Sequence, residues 1–501
     1  MSVYADALSL LLHFDVILAI AAGTFFGLIM GSLPGLTATM AIALLIPVSF
    51  GMGSIAGIGM MLGALCGAMS GGAVSAILLN IPGTPSAVAT TLDGFPMARN
   101  GEAGKALGIS ISSSFIGGIA GAILLILLAP PIAAFALRFG PAEFFSLGIF
   151  GLVIIASVSS RSLLKGLVAG IIGLFVSTIG ADPMTGILRF TMDQPSLLSG
   201  VGLLPALIGL FAISQVFQDI SEKTIDSQPV QAKQDVSSTQ PHWRLVFGSW
   251  RALWSSTFIG AIIGAIPGAG GSIASFLSYD QAKRLSKTPE KFGTGHHEGL
   301  IASEASNNSI IGGALIPTLT LGVPGEAATA VLMGGLVIHG VRPGPALFDQ
   351  QPVIVYGIFF AFILANIFMI LIQWFGIRVF VKILQIPDSY LMPIILVFCV
   401  IGVYAVSGNT FDLYVMLIFG VLGFFLSRYG FGTAPVILGM ILGDLVESNL
   451  RRGMIVFDGD WTQFVTHPIS LAFLLMATVF LIYTLIQSRS ETEPKRQEEA
   501  Q

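Results

Sequence analysis

The chain predicts an all-α polytopic membrane protein made of two homologous repeats with broken or re-entrant helices. Three observations predict it. Only 10% of its 501 residues are charged while 54% are hydrophobic, and the mean hydropathy is +0.87, whereas a soluble domain is charged at about a quarter of its residues. Apolar segments recur that approach the roughly 20 residues needed to cross a hydrocarbon core about 30 Å thick. Several stop short at Pro-Gly, and the same interruptions return in order in the second half. The runs are continuous and lack two-residue alternation, which excludes a β-barrel.

Net charge of -4 and a pI near 5.9 exclude a nucleic-acid role. Cys66 and Cys399 lie inside apolar segments and read as buried free thiols with no disulfide. With no basic n-region and no small-residue cleavage site before the first long apolar segment, the first helix is expected to stay uncleaved. The 60 glycines suit helices packed through small residues, as in the run from Gly117 to Ala122.

Apolar segments fall near 13–30, 36–49, 54–79, 84–97, 104–129, 141–158, 162–180 and 201–217. After a polar stretch they resume near 251–266, 270–282, 299–320, 326–341, 353–375, 389–406, 410–427, 433–448 and 468–486. The organisation expected is a first membrane repeat over 1–217, a polar linker over 218–249, a second membrane repeat with extra C-terminal helices over 250–487, and a disordered polar tail over 488–501. Gly31-Ser-Leu-Pro34-Gly35 returns as Gly264-Ala-Ile-Pro267-Gly268, Ile81-Pro82-Gly83 as Val323-Pro324-Gly325, and Gly71-Gly72 as Gly312-Gly313. Pro34 and Pro82 are 48 positions apart (82 − 34), Pro267 and Pro324 57 apart (324 − 267). The surplus is placed in the hydrophilic run Lys283 to His297, in solvent. We take the repeats as inverted, with the short segments re-entrant; the number of true crossings decides between that and a parallel arrangement. Lys283, Arg284, Lys287 and Lys291 place their loop in the cytoplasm, but Arg451, Arg452 and the basic tail flank opposite ends of one last span, so the charge rule conflicts with itself there.

The second interruption shows what each break implies. After Asn80, Thr84 supplies an N-cap hydroxyl and Pro85 suits a first helical position, so a new helix starts there with free N–H groups at membrane depth. Unpaired amides in hydrocarbon cost several kcal/mol, roughly, so such a break must face protein, water or ligand. One Pro-Gly alone reads as a kink between packed helices. Paired breaks in two halves point to the site of a secondary transporter.

Lys and Arg concentrate in loops such as Arg99 to Lys105, Arg161 to Lys165 and Lys283 to Lys291, leaving an anion only helix N-termini to bind. The candidate substrate site therefore gathers Pro34, Gly35 and Thr37 from the first break, and Asn80, Pro82, Gly83, Thr84, Pro85 and Ser86 from the second. The third contributes Pro267, Gly268, Gly270, Gly271 and Ser272, and the fourth Pro324, Gly325, Glu326 and Thr329. The competing reading is close packing alone, which does not explain the repetition. Glu304, Asn307 and Asn308 stand at i, i+3 and i+4 on one helical face and form the candidate cation site, with Na+ the only metal suggested. Taken singly, Asn307 and Asn308 read equally as interhelical hydrogen-bond partners. Glu326 reads also as a complement to a helix dipole, and Asp444 and Glu447 as interface residues near a membrane end. Gly104-Lys105 lacks the earlier glycine of a phosphate loop, and His297-Glu298 lacks the second histidine of a zinc protease. Pro267-Gly-Ala-Gly-Gly follows no strand, and His296-His297 reads as a loop pair. No cofactor is expected.

These motifs together resemble the large membrane subunit of the tripartite tricarboxylate transporter family. The resemblance rests on Ile81-Pro-Gly-Thr-Pro-Ser-Ala-Val-Ala-Thr-Thr-Leu-Asp-Gly-Phe-Pro96, on Ile266-Pro-Gly-Ala-Gly-Gly271, and on Glu304-Ala-Ser-Asn-Asn308 running into Gly312-Gly313 and Gly322-Val-Pro-Gly325. It runs from the first helix to Asn449. Phe95 stands where Tyr is commoner in the family, so no phenol role carries over. The resemblance implies a bacterial inner-membrane permease working with a periplasmic solute-binding protein and a small membrane subunit. It also implies an organic carboxylate substrate such as citrate, and a coupling ion, Na+ or H+. An elevator-like movement of one repeat-built domain against a scaffold fits the breaks. A membrane-embedded enzyme would need a catalytic pair that does not stand out, and a structural subunit would not need four paired breaks.

Overall fold

Apolar runs in lipid satisfy their own backbone only as helices or closed barrels, and helix dominates the computed structural model of the chain. It describes residues 3–158, 162–182, 184–222, 236, 239–268, 270–384 and 388–498. From the N-terminus come α1 (Val3–Leu11), α2 (Phe14–Ser32), α3 (Ala38–Ser49), α4 (Ser54–Leu79), α5 (Val88–Met97) and α6 (Ala103–Ala136). Then follow α7 (Pro141–Val158), α8 (Leu163–Ser177), an antiparallel hairpin of β1 (Gly180–Ala181) and β2 (Leu188–Arg189), α9 (Leu203–Ile208) and α10 (Ser214–Glu222). The chain continues through α11 (Trp243–Gly248), α12 (Trp250–Ala265), α13 (Gly270–Leu285), α14 (His297–Leu321) and α15 (Ala327–Ile338). It closes with α16 (Ala346–Gln350), α17 (Pro352–Ile383), α18 (Asp388–Ser407), α19 (Thr410–Arg428), α20 (Ala434–Val456), α21 (Gln463–Thr466) and α22 (Pro468–Glu498). Among the described residues, seven helical stretches are long and apolar enough to cross a membrane. The chain is an all-α polytopic membrane protein.

Two compact units divide it: Met1–Ala134 with Gln215–Gly408, and Phe135–Ser214 with Asn409–Gln501. Each draws on both halves of the chain, so neither unit coincides with 1–217 or 250–487. In the first unit α4 is buried from Ile55 to Leu78 and α14 from Gly299 to Thr320. The helix α2 lies along α4, and α12 along α14. Gly23, Gly27 and Gly31, four residues apart, bring α2 so close to α4 that a Cβ on any of them would strike the backbone of Met60, Ala64 or Ala68. Gly260 and Gly264 of α12 meet the backbone of Ser306 and Ile310 of α14 in the same manner. Small residues at this spacing let helix backbones touch without side chains between them. The Gly117–Ala122 run serves the same purpose, with Gly117 and Gly121 against the Ala305 and Ser309 carbonyls.

In the second unit α8 and α22 lie against α7, and α20 lies against both α7 and α8. Glu143 accepts from the Gly140 N–H at 2.8 Å and stands 2.9 Å from His467 Nδ1.

Several expectations need correcting. The tail from 488 is not disordered throughout, since α22 runs on to Glu498; its Glu, Lys, Arg and Gln residues are good helix formers. Arg99 to Lys105 is no open loop. A wide turn over Ala98–Glu102, pivoting on Gly101 at φ +84°, joins α5 to α6. Within 218–249, α10 reaches Glu222 and α11 covers Trp243–Gly248, while 223–235, 237 and 238 lie outside the described residues. The helix α1 precedes the first expected segment. Cys66 and Cys399 are free and buried, as expected.

Candidate functional site

All four Pro-Gly breaks fall between helices of the first unit. The first, Leu33 to Thr37, ends α2 and starts α3; Gly35 turns the chain at φ +87°, and Thr37 caps α3 by accepting the Met40 N–H at 3.2 Å. The second follows α4, where Asn80 adopts a left-handed conformation at φ 60°. Pro85–Ala87 then forms one tight turn leading into α5. A helix does restart at Pro85, but the Thr84 hydroxyl does not cap it. That hydroxyl stands 3.2 Å from Ser86 Oγ, which donates to Met69 Sδ at 3.4 Å. The third break turns at Gly268, φ +82°, into α13. The fourth follows left-handed Gly322 and opens α15, where the Glu326 N–H donates to Thr329 Oγ1 at 3.0 Å.

Direct contacts tie these corners together. Gly83 sits against the Gly31 carbonyl, and its N–H donates to the Gly72 carbonyl at 3.2 Å. At the positions that the motif repeat pairs with them, Gly325 sits against the Gly264 carbonyl. The Gly268 N–H donates to the Gly325 carbonyl at 2.7 Å, joining the third break to the fourth. Ser272 Oγ donates to the Pro85 carbonyl at 2.9 Å and Gly271 lies against Ser86, joining the second to the third. The helices after the outer two breaks, α3 and α15, pack on each other. Gly35, Asn80 and Pro85 are exposed and Pro34, Thr37, Pro82, Gly270 and Ser272 half-buried, whereas Gly83, Thr84, Ser86, Pro267, Gly268, Gly271, Pro324, Gly325, Glu326 and Thr329 are buried. The corners thus present an accessible rim over a buried floor. A bulky residue at Gly83 cannot leave the fold intact, because its Cβ would overlap the Gly31 carbonyl.

Glu304, Asn307 and Asn308 are fully buried in α14, but they turn to different neighbours. Glu304 Oε1 accepts from Thr90 Oγ1 of α5 at 2.5 Å and Oε2 from Ser114 Oγ of α6 at 2.7 Å. Asn307 Nδ2 donates to the Met69 carbonyl of α4 at 3.0 Å, and Asn308 Nδ2 to the Glu304 carbonyl at 3.3 Å. Asn307 Oδ1, Asn308 Oδ1 and Glu326 Oε1 are buried with no hydrogen-bond partner among the described residues. Buried oxygens left in this state are unusual and costly, and oxygen is what a hard cation binds. Met69 touches both Ser86 and Asn307, and Thr90 lies on the helix that the second break begins, so ion candidates and corners share neighbours.

Sequence reasoning missed Thr90 and Ser114, and also Asp93, inside the quoted Thr-Leu-Asp-Gly-Phe-Pro motif. Asp93 is fully buried. Its Oδ1 accepts the N–H groups of Gly293, Gly295 and His296 at 2.9, 2.9 and 2.7 Å, and its Oδ2 the Tyr279 hydroxyl at 2.8 Å. An acid amid apolar neighbours was the available signal. Part of the hydrophilic run is therefore pinned to α5 and not free in solvent. Outside the first unit, Glu447 is an ion-pair member: its Oε1 stands 2.6 Å from Arg189 and 2.9 Å from Arg451.

Comparison with known proteins follows the same outline. A family model described as the tripartite tricarboxylate transporter TctA family matches residues 17–438. An Agrobacterium vitis relative, named an uncharacterized 52.8 kDa protein in the TAR-I ttuC' 3' region, is 36% identical over 466 residues, 93% of this chain and 92% of that one. A second from the same organism, named an uncharacterized protein in the TAR-II ttuC' 3' region, is 39% identical over 229 residues, 46% of this chain and 95% of its own. No solved structure matches the chain. With nearly its whole length matched, the chain belongs to the tripartite tricarboxylate transporter TctA family.

Proposed function

We propose that this chain is the translocating membrane subunit of a secondary active importer for tricarboxylates or related organic carboxylates. A periplasmic solute-binding protein feeds it, a small membrane subunit accompanies it, and it works in the bacterial inner membrane. The observation that carries the reading is the gathering of the four Pro-Gly corners in one unit, the third bonded to the fourth through main chain and to the second through Ser272, with Gly83 of the second against Gly31 at the end of α2. Helix N-termini at such corners offer N–H groups and partial positive charge to a carboxylate, and none of the corner residues is basic. The two sets of corners are read as one motif duplicated, in inverted repeats, and the unit that holds them is read as the body that carries substrate in an elevator-like movement.

Carrying each negative charge inward against the membrane potential costs about 2.3 kcal/mol per 100 mV, so a trivalent anion needs about three co-transported cations to cancel it. Na+ or H+ fits this role. The orphan oxygens Asn307 Oδ1 and Asn308 Oδ1, one helical turn along α14 from Glu304, support α14 as the place where the ion is held. The test is uptake of labelled citrate by proteoliposomes containing the chain and its partner proteins. Gradient-driven accumulation is expected, with a loss of at least tenfold in Ser272→Leu, which leaves the Gly268–Gly325 contact untouched. Undiminished uptake by that variant overturns the corner site, and failure of the native complex to accumulate any carboxylate overturns the transport reading.

A further inference from the structure

Between α8 and α9 the second unit abandons helix for the β1–β2 hairpin and the loop after it, and there it exposes what soluble loops hide. Ile187, Leu188, Phe190 and Met192 are 66%, 51%, 56% and 84% exposed. Phe190 and Met192 also hold left-handed backbone at φ 54° and 50°, a conformation uncommon for bulky residues. Nothing inside the described protein covers these side chains.

The hairpin's charges point the other way. Arg189 stands 2.6 Å from Glu447 Oε1 and 3.5 Å from Asp182 Oδ2; Arg451 stands 2.5 Å from Asp182 Oδ2 and 2.9 Å from Glu447 Oε1. Asp182 Oδ1 accepts the N–H groups of Met184 and Thr185 at 2.9 and 3.0 Å. Successive strand residues face opposite sides, so a network that draws Arg189 inward turns Leu188 of β2 outward. The Phe190 ring then lies 5.2 Å from Phe175 in the last turn of α8. Phe175 ends a stripe on that helix, with Leu164, Val168 and Ile171 before it at spacings of four, three and four, all exposed. The helix α8 is one of the shorter apolar helices of this membrane protein, and an exposed apolar stripe on such a helix is suited to lipid.

We propose that this loop is a membrane anchor: its apolar edge lies in the interfacial layer of the bilayer as a continuation of the lipid face of α8, held outward by the Asp182–Arg189–Glu447–Arg451 network. Continuity with α8 favours lipid over a protein partner as what covers it. Asp193, exposed next to Met192, keeps the edge shallow, since a carboxylate stays among headgroups.

The test places a spin label at Met192→Cys, and separately at Ile187→Cys, in the full chain in liposomes; Cys66 and Cys399 are buried and stay unlabelled. Collision with dissolved oxygen is expected to exceed collision with a water-soluble nickel chelate several-fold at both positions, with the opposite order at a label on exposed Glu102. Adding Asp182→Asn with Glu447→Gln is expected to shift the Met192 label towards the chelate. Chelate access equal to that at Glu102 overturns the proposal, as does shielding from both reagents, which would mean that protein covers the edge. If the latch variant does not fold, the two single-label ratios decide the matter.

Discussion

Glu304→Gln exchanges a carboxyl group on α14 for a neutral amide and alters little else. The side chain is fully buried, with Thr90 Oγ1 at 2.5 Å and Ser114 Oγ at 2.7 Å on its two oxygens. Glutamine keeps a carbonyl oxygen for one hydroxyl, and the other hydroxyl rotates to accept from the new amide. Such an exchange costs on the order of 1 kcal/mol, so the fold persists. The charge is a different matter, because a cation about 4 Å from a carboxylate gains about 4 kcal/mol at an effective dielectric constant of about 20. At about 1.4 kcal/mol per decade, cation affinity falls by roughly three orders of magnitude. Citrate uptake by proteoliposomes, titrated first with sodium and then with a proton gradient, reads this directly, and a thermal midpoint within a few degrees of the parent shows that the fold survives. An unchanged half-saturating sodium concentration together with an unchanged pH dependence would refute the assignment of α14 as the ion site.

Asn308→Ala removes an unpartnered oxygen without altering charge and is expected to weaken cation dependence by about tenfold, given that one neutral ligand is worth on the order of 1 kcal/mol; equal dependence speaks against Asn308 as a ligand. Gly83→Ala and Gly325→Ala each drive a methyl into backbone at the Gly31 or Gly264 carbonyl, so each is expected to cost about 3 kcal/mol, the upper end for overpacking, and an unmoved melting midpoint would contradict the contact. Asp93→Ala orphans three backbone N–H groups, at about 1–3 kcal/mol for each, and trypsin should then cut at Lys287 or Lys291 more than tenfold faster. Donated N–H groups and Arg451 hold the Asp182 carboxyl down at about 2. A depressed acid stabilises the fold above its ordinary value near 3.8 and loses that contribution as pH falls towards 2. Between pH 5 and 2.5 the parent should therefore lose more thermal stability than Asp182→Asn, and parallel losses would refute the role of Asp182.

Features with local causes could be read directly. Left-handed turns need glycine or a residue such as asparagine, so Gly35, Gly268, Asn80 and Gly322 marked their corners, and the helix restarting at Pro85 follows from proline's fixed φ. The Glu304–Asn308 face was visible as helical spacing. What those side chains touch was not, because Thr90 and Ser114 lie 214 and 190 positions away, and although Thr90 falls within the quoted Ile81–Pro96 motif, nothing there points to Glu304. Asp93 is harder still: three of its partners are backbone groups 200 to 203 positions on, and backbone has no letter of its own. The interleaving of the two halves into the observed units is equally a matter of long-range packing.

Three of the contacts that hold the corners are made by glycine main chain, Gly83 on Gly31, Gly325 on Gly264 and Gly268 on Gly325, and none of these three depends on the hydroxyls around them. Thr37, Asn80 and Ser272 stand on the accessible rim, where exchanging one changes what an incoming molecule meets and leaves those three contacts as they were. On the proposed carboxylate site, selectivity could drift at those three positions while the glycine contacts stay put.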